Sequence, residues 1–174
     1  MEDLRYPIGK FQWNREATAE DRSRHVAAIA ELPAKLRAAV AGLSEVQVDT
    51  PYRPGGWTAR QVVHHVADSH MNAYVRMRLA ITESEPLIKT YDEKAWAGLI
   101  DARLAPVESS LRLVEGLHER WVLLLRSMSA GDFARKFNHP ERGLTDLDWI
   151  TQVYAWHGRH HVAHITSLRQ RQGW

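Results

Sequence analysis

The sequence predicts an all-α protein, and three observations carry that prediction. Four segments of roughly 20 to 25 residues repeat their apolar side chains at spacings of three and four, the period that lines up one face of a helix. No stretch alternates apolar and polar residues over the length a half-buried strand needs. Loops rich in proline, glycine and small polar residues separate the four segments. Four amphipathic helices bury their stripes together most simply as a four-helix bundle.

The first segment, residues 18–42, places Val26, Ile29, Leu32, Leu36 and Val40 on one face. Pro33 stands inside it, lacks an N–H and is expected to kink or split the helix. "DTPYRPGGWT", residues 49–58, reads as a loop whose glycines serve a tight turn. Thr58 is the expected N-cap of the second helix, with Gln61 three positions on completing a capping box. That helix runs to about residue 83 and carries Val62, Val66, Tyr74, Met77 and Ile81. A long connection follows, "SEPLIKTYDEKAWAGLIDARLAP", with a short helix expected around residues 93–100. A link of that length permits a crossover, so neighbours in sequence need not be neighbours in the bundle. The third helix opens at Pro106, a good first-turn residue, and continues through Leu111, Val114, Leu117, Trp121, Leu124 and Leu125. "FNHPERGLT" reads as a loop, broken by Pro140 and Gly143. The fourth helix covers residues 146–172 and ends at Gly173.

Composition narrows the function. A chain of 174 residues is most simply one domain, residues 1–174. Its formal charge of +2 balances 23 Lys and Arg against 21 Asp and Glu, which is no footprint for a nucleic-acid partner. There are no cysteines, so disulfides and thiolate metal sites are excluded and any metal must be held by His, Asp or Glu. The start lacks the layout of a signal peptide, and no apolar run approaches the roughly 20 residues that span a bilayer. A cytoplasmic protein with no membrane partner is the expectation.

The histidines carry the chemistry. "YAWHGRHHVAHI" holds His157, His160, His161 and His164, four of the ten in the chain. Residues four apart stack on one helix face, so two of these imidazoles can converge on one ion. Measured from Ile150 at about 100° per residue, His157 and His161 lie near the centre of the apolar stripe, His164 about 40° and His160 about 80° to one side. Spacing alone therefore does not choose among the four. In "RQVVHHVADSHMN", His64 and His65 point about 100° apart, so at most one reaches a core site. His65, Ser69, Asn72 and Arg76 form a polar stripe that could line a substrate pocket, with Arg76 available to a carboxylate or phosphate. Asp68 is a candidate for orienting an imidazole, and His70 reads as packed in the core. His118 and Glu119 in "GLHERW" do not complete an HExxH motif, and His139 falls on the predicted loop.

"YPIGKF", "YRPGGWTARQVVHHVADSHMNAYVR", "IKTYDEKAW", "LHERW" and "YAWHGRHHVAHI", in this order, resemble the YfiT group of the DinB-like proteins over nearly the whole chain. The resemblance implies a four-helix bundle with up-down-down-up connectivity, usually a homodimer. It implies one divalent ion per subunit, zinc or nickel, held by His65, His160 and His164. The family often has a further histidine where this chain has Arg159, a position outside the ligand set. The activity it implies is a metal-dependent hydrolase, with water in the open position attacking a small-molecule substrate. Some relatives resemble thiol S-transferases, in which a bacillithiol cosubstrate is the nucleophile and a small electrophile receives it. A non-catalytic bundle with a structural metal is the remaining alternative. Asp68, Asn72, Arg76 and His161 are candidates for orienting ligands or contacting substrate.

Overall fold

A computed structural model describes residues 3–174. Four long helices dominate it: α1 (Ala19–Val40), α3 (Ala59–Thr82), α6 (Val107–Ser127) and α8 (Leu147–Gln172). Local chemistry sets their ends. Thr18 and Thr58 each cap a helix with a reciprocal capping box, through Asp21 and Gln61. Asp146 accepts from Trp149 N–H at the start of α8, and Gly173 stops that helix in the left-handed region at φ 72°. Short helices α2 (Glu45–Val48), α4 (Glu93–Ala97), α5 (Ile100–Leu104) and α7 (Ala130–Phe133) fill the connections.

The predicted loop at "FNHPERGLT" is instead a hairpin, β1 (Lys136–His139) paired antiparallel with β2 (Gly143–Asp146). Four residues per strand are too few to show an alternation in sequence. Its β1 edge also docks on the α3–α4 connection, where the Ile88 and Asn138 amides donate to the Asn138 and Pro86 carbonyls. The long connection holds two short helices where one was expected, because Gly98 ends α4. Pro33 does not split α1, which runs unbroken past it.

Long-range pairs establish the topology. Arg22 donates to Asp148 near the starts of α1 and α8, and Arg169 donates to Ala39 O near their ends, so these two helices run parallel. Arg37 near the end of α1 pairs with Glu108 at the start of α6, which makes that pair antiparallel. His64 meets Ser110 while Met77 meets Trp121, so α3 and α6 are parallel. His65 on α3 meets His157 on α8, while Ser69 one turn further along α3 meets Tyr154 one turn earlier on α8, so these run antiparallel. The order is up-down-down-up, with α1 opposite α3 and α6 opposite α8 across the bundle.

The apolar core has two halves. One gathers Ile29, Met77, Trp121, Phe137 and Ile150; the other gathers Leu36, Val62, Val66, Val114 and Leu168. On every long helix the change from one half to the other falls at the same height. His70, His118, His157 and the "HHVAH" histidines occupy that gap, so the bundle carries a polar layer between two apolar ones. Helices α1 and α8 approach closely beside it: a Cβ at Gly158 would lie 2.8 Å from Leu32 Cδ2. The absence of a side chain there seats α8 and its histidines against α1.

Candidate metal centre

A chamber of about 740 Å³ opens at the α3–α8 seam, and five imidazoles line it: His65, His157, His160, His161 and His164. His65 comes from α3, where the roughly 100° between consecutive residues sends its ring and that of His64 apart. His64 points to α6, bonding Ser110 Oγ at 2.7 Å and Ala105 O at 3.1 Å. The other four rings project from consecutive turns of α8.

Aromatic rings hold the imidazoles in place. Tyr52 stacks on His164 at 4.0 Å, Trp156 on His160 at 4.4 Å, and Trp57 tilts against His65 at 4.7 Å between centroids. The "PGGW" turn is therefore more than a turn, because Gly55, Gly56 and Trp57 form chamber wall. Gly56 cannot carry a side chain without shifting its neighbours, since a Cβ would lie 2.7 Å from Arg53 Cγ. Arg5 and Tyr6 of the N-terminal segment complete the wall, and His164 Nε2 donates to Arg5 O at 3.1 Å.

Burial keeps these histidines neutral. It pushes His65, His160 and His164 down to about 4. It holds His157 and His161 well below their ordinary value. A neutral imidazole has one N–H and one lone pair, the form that binds a metal. Since Arg5 O takes the proton on His164 Nε2, the His164 lone pair is on Nδ1, 3.3 Å from His161 Nδ1. Among the described residues His160 Nδ1 is buried with no hydrogen-bond partner. An orphaned buried nitrogen costs about 1–3 kcal/mol unless something satisfies it. Neutral rings, lone pairs facing one space and an orphaned nitrogen together fit a divalent cation bound by imidazole.

Two groups of three rings bring ligand nitrogens within 4.8 Å of one another: His65–His157–His161 and His160–His161–His164. His161 belongs to both. His65, His160 and His164 thus share the chamber but divide between the groups. His157, near the centre of the apolar stripe and outside the ligand set the resemblance implies, faces His65 with Nε2 atoms 3.2 Å apart.

A second chamber of about 630 Å³ adjoins the first, sharing His157, Glu93 and Lys94 with it. Arg76 and Ser69 line it, as does His139 at the end of β1. Arg76 Nη2 donates to Lys89 O at 2.7 Å, and among the described residues its buried Nε has no partner. The stripe read from sequence is therefore divided: His65 is in one chamber and Ser69 and Arg76 in the other. Asn72 lines neither; its amide donates to Asp68 O one turn back. Asp68 also lines neither, and among the described residues it bonds no imidazole; burial, with Asp101 nearby, raises its carboxyl to about 6.

A four-helix bundle with an imidazole-lined chamber at its middle is a recognisable class, and family comparison places the chain within it. The DinB superfamily model matches residues 28–165, and the chain belongs to that superfamily. It is 55% identical over its full length, and the full length of the relative, to a protein of Bacillus cereus strain 03BB102 named "putative metal-dependent hydrolase". A Bacillus anthracis protein of the same name is 54% identical over the same coverage. Among solved structures, YfiT from Bacillus subtilis, described as a probable metal-dependent hydrolase with an unusual four-helix bundle topology, superposes with a TM-score of 0.96. The identity there is 46%, and the match covers 99% of both chains. TT2238, a four-helix bundle protein at 18% identity and TM-score 0.55, shares the fold. Among the described residues no helix is long and apolar enough to cross a membrane.

Proposed function

We propose that the protein is a metal-dependent hydrolase in which His65, His160 and His164 hold one divalent cation, zinc or alternatively nickel. The observation that carries this reading is the buried, partnerless Nδ1 of His160 in a chamber of neutral imidazoles. Relatives named as metal-dependent hydrolases support it. When bound, such a cation supplies Lewis acidity, which polarises a carbonyl and acidifies water, or a thiol, near neutral pH.

The chain's own residues supply the rest. Tyr52, Trp57 and Trp156 pack the imidazoles and keep bulk water from their faces. The Arg5 carbonyl fixes the tautomer and tilt of His164. Arg5, Arg53 and Lys94 against Glu93 leave the chamber wall with an excess of positive charge, which favours an anionic small molecule. In this reading Arg76, which lines the adjoining chamber, takes a carboxylate or phosphate of that molecule.

Metal analysis of the purified protein tests the site. Zinc or nickel near one ion per chain is expected, and His65→Ala and His160→Ala should each lose it; unchanged metal in both would discard the assignment. Assaying the loaded protein on carboxylate-bearing esters and amides, and separately with bacillithiol and an epoxide, tests the reaction. Hydrolysis is the expected result, and conjugation without hydrolysis would replace this reading with a thiol transferase.

A further inference from the structure

Behind the chamber runs a line of hydrogen bonds that the proposed chemistry does not use. Pro33 has no N–H to bond the carbonyl of Ile29, four residues earlier in α1, and its ring crowds that carbonyl out of the ladder. The carbonyl is left free in the middle of the bundle, and His118 Nδ1 donates to it at 2.8 Å. His118 Nε2 is 3.0 Å from His70 Nδ1, and His70 Nε2 is 3.2 Å from His157 Nδ1. His157 Nε2 then meets His65 Nε2 at 3.2 Å inside the chamber. Four imidazoles from three helices thus join a backbone carbonyl of the fourth helix to the metal centre.

The line has a direction. A carbonyl oxygen only accepts, so the His118 proton is on Nδ1. His118 is 1% exposed and His70 0%, and burial keeps both neutral, His118 at about 4 and His70 well below its ordinary value. A neutral ring with its proton on Nδ1 must accept on Nε2, which requires the proton of His70 on Nδ1, and in turn that of His157 on Nδ1. Reversing any ring would set two lone pairs or two N–H groups face to face.

We propose that Pro33, His118 and His70 are positioning residues that hold His157 as its Nδ1–H tautomer, with the Nε2 lone pair turned to His65 and to a cation in the chamber. His157 is then a candidate nitrogen donor in the group it forms with His65 and His161. That consequence rests on the metal reading above; the tautomer order itself does not.

The test uses full-length, ¹⁵N-labelled, metal-free protein and long-range ¹H–¹⁵N correlation of the imidazoles. His118, His70 and His157 should each show a protonated Nδ1 and an unprotonated Nε2. His118→Phe leaves His70 Nδ1–H without an acceptor, so the His70 and His157 signals should move towards a mixture of tautomers. Pro33→Ala returns an N–H that competes for the Ile29 carbonyl in a helix with no ring clash, so it folds and should move the same signals in the same direction. Cobalt(II) titration is the second readout, with affinity expected to fall about tenfold or more in His118→Phe, as for other residues that orient metal ligands. A protonated Nε2 on His157 in the wild type, or unmoved His157 signals in both variants, would overturn the proposal. Ordered tautomers in a protein that binds no cobalt would uphold the chain and overturn the metal reading instead.

Discussion

Acid is the perturbation this polar layer should answer most strongly. All ten histidines have lowered pKa values, and burial is the largest cause for each. His118, at about 4 against 6.5 when unfolded, illustrates the sign. Between those values the unfolded chain binds a proton that the folded chain refuses, so the stabilisation is complete above the unfolded value and is lost as pH falls. For one such group the loss between about pH 7.5 and about pH 5 is roughly 2 kcal/mol. His65, His160 and His164 sit at the same level. Were the four independent, they would withdraw roughly 8 kcal/mol together, comparable to the whole stability of an ordinary domain. Urea unfolding of the metal-free protein, followed by tryptophan fluorescence across that pH range, measures the effect. Stability should be nearly level above the unfolded histidine pKa and fall steeply below it, and saturating zinc should move the fall to lower pH. A stability at about pH 5 within ~1 kcal/mol of that at about pH 7.5 would refute the reasoning.

Two substitutions away from the ligands test the scaffold. In Gly158→Ala the new methyl meets Leu32, which is 2% exposed; overpacking of about 1–3 kcal/mol outweighs the gain of about 1 kcal/mol in helix propensity. Melting should drop by a few degrees, and a rise would show that α1 and α8 are not in tight contact there. Arg60 is 4% exposed and donates to Asp49, Glu45 and Ala105 O. Arg60→Ala should cost about 2 kcal/mol, limited because the two carboxylates are at the surface and rehydrate, and should leave metal content unchanged.

The long helices and their ends were legible in the sequence because each signal is local. The apolar period and the Thr58–Gln61 box involve residues within one or two turns of one another. The β hairpin was not legible, since strands this short carry no alternation and docking on the α3–α4 connection decides them. Pro33 removes a hydrogen bond by its own chemistry, and α1 runs unbroken past it; that the freed acceptor serves a ring on another helix is decided by packing.

The same division runs through the site. By its own residues the sequence determined that any metal must be held by histidine or carboxylate, that His65 and His64 diverge, and that the α8 histidines crowd towards the core. Only the tertiary structure decided which rings meet. His65 and His157 are 92 residues apart, His70 and His118 are 48 apart, and His118 and Ile29 are 89 apart. Helix periodicity fixes the direction of a side chain relative to its own axis and carries nothing about the ring it will face. The crossing connections that bring α3 against α6 and α8 made His70 and His118, which looked like packing and a failed motif, into the support of the chamber.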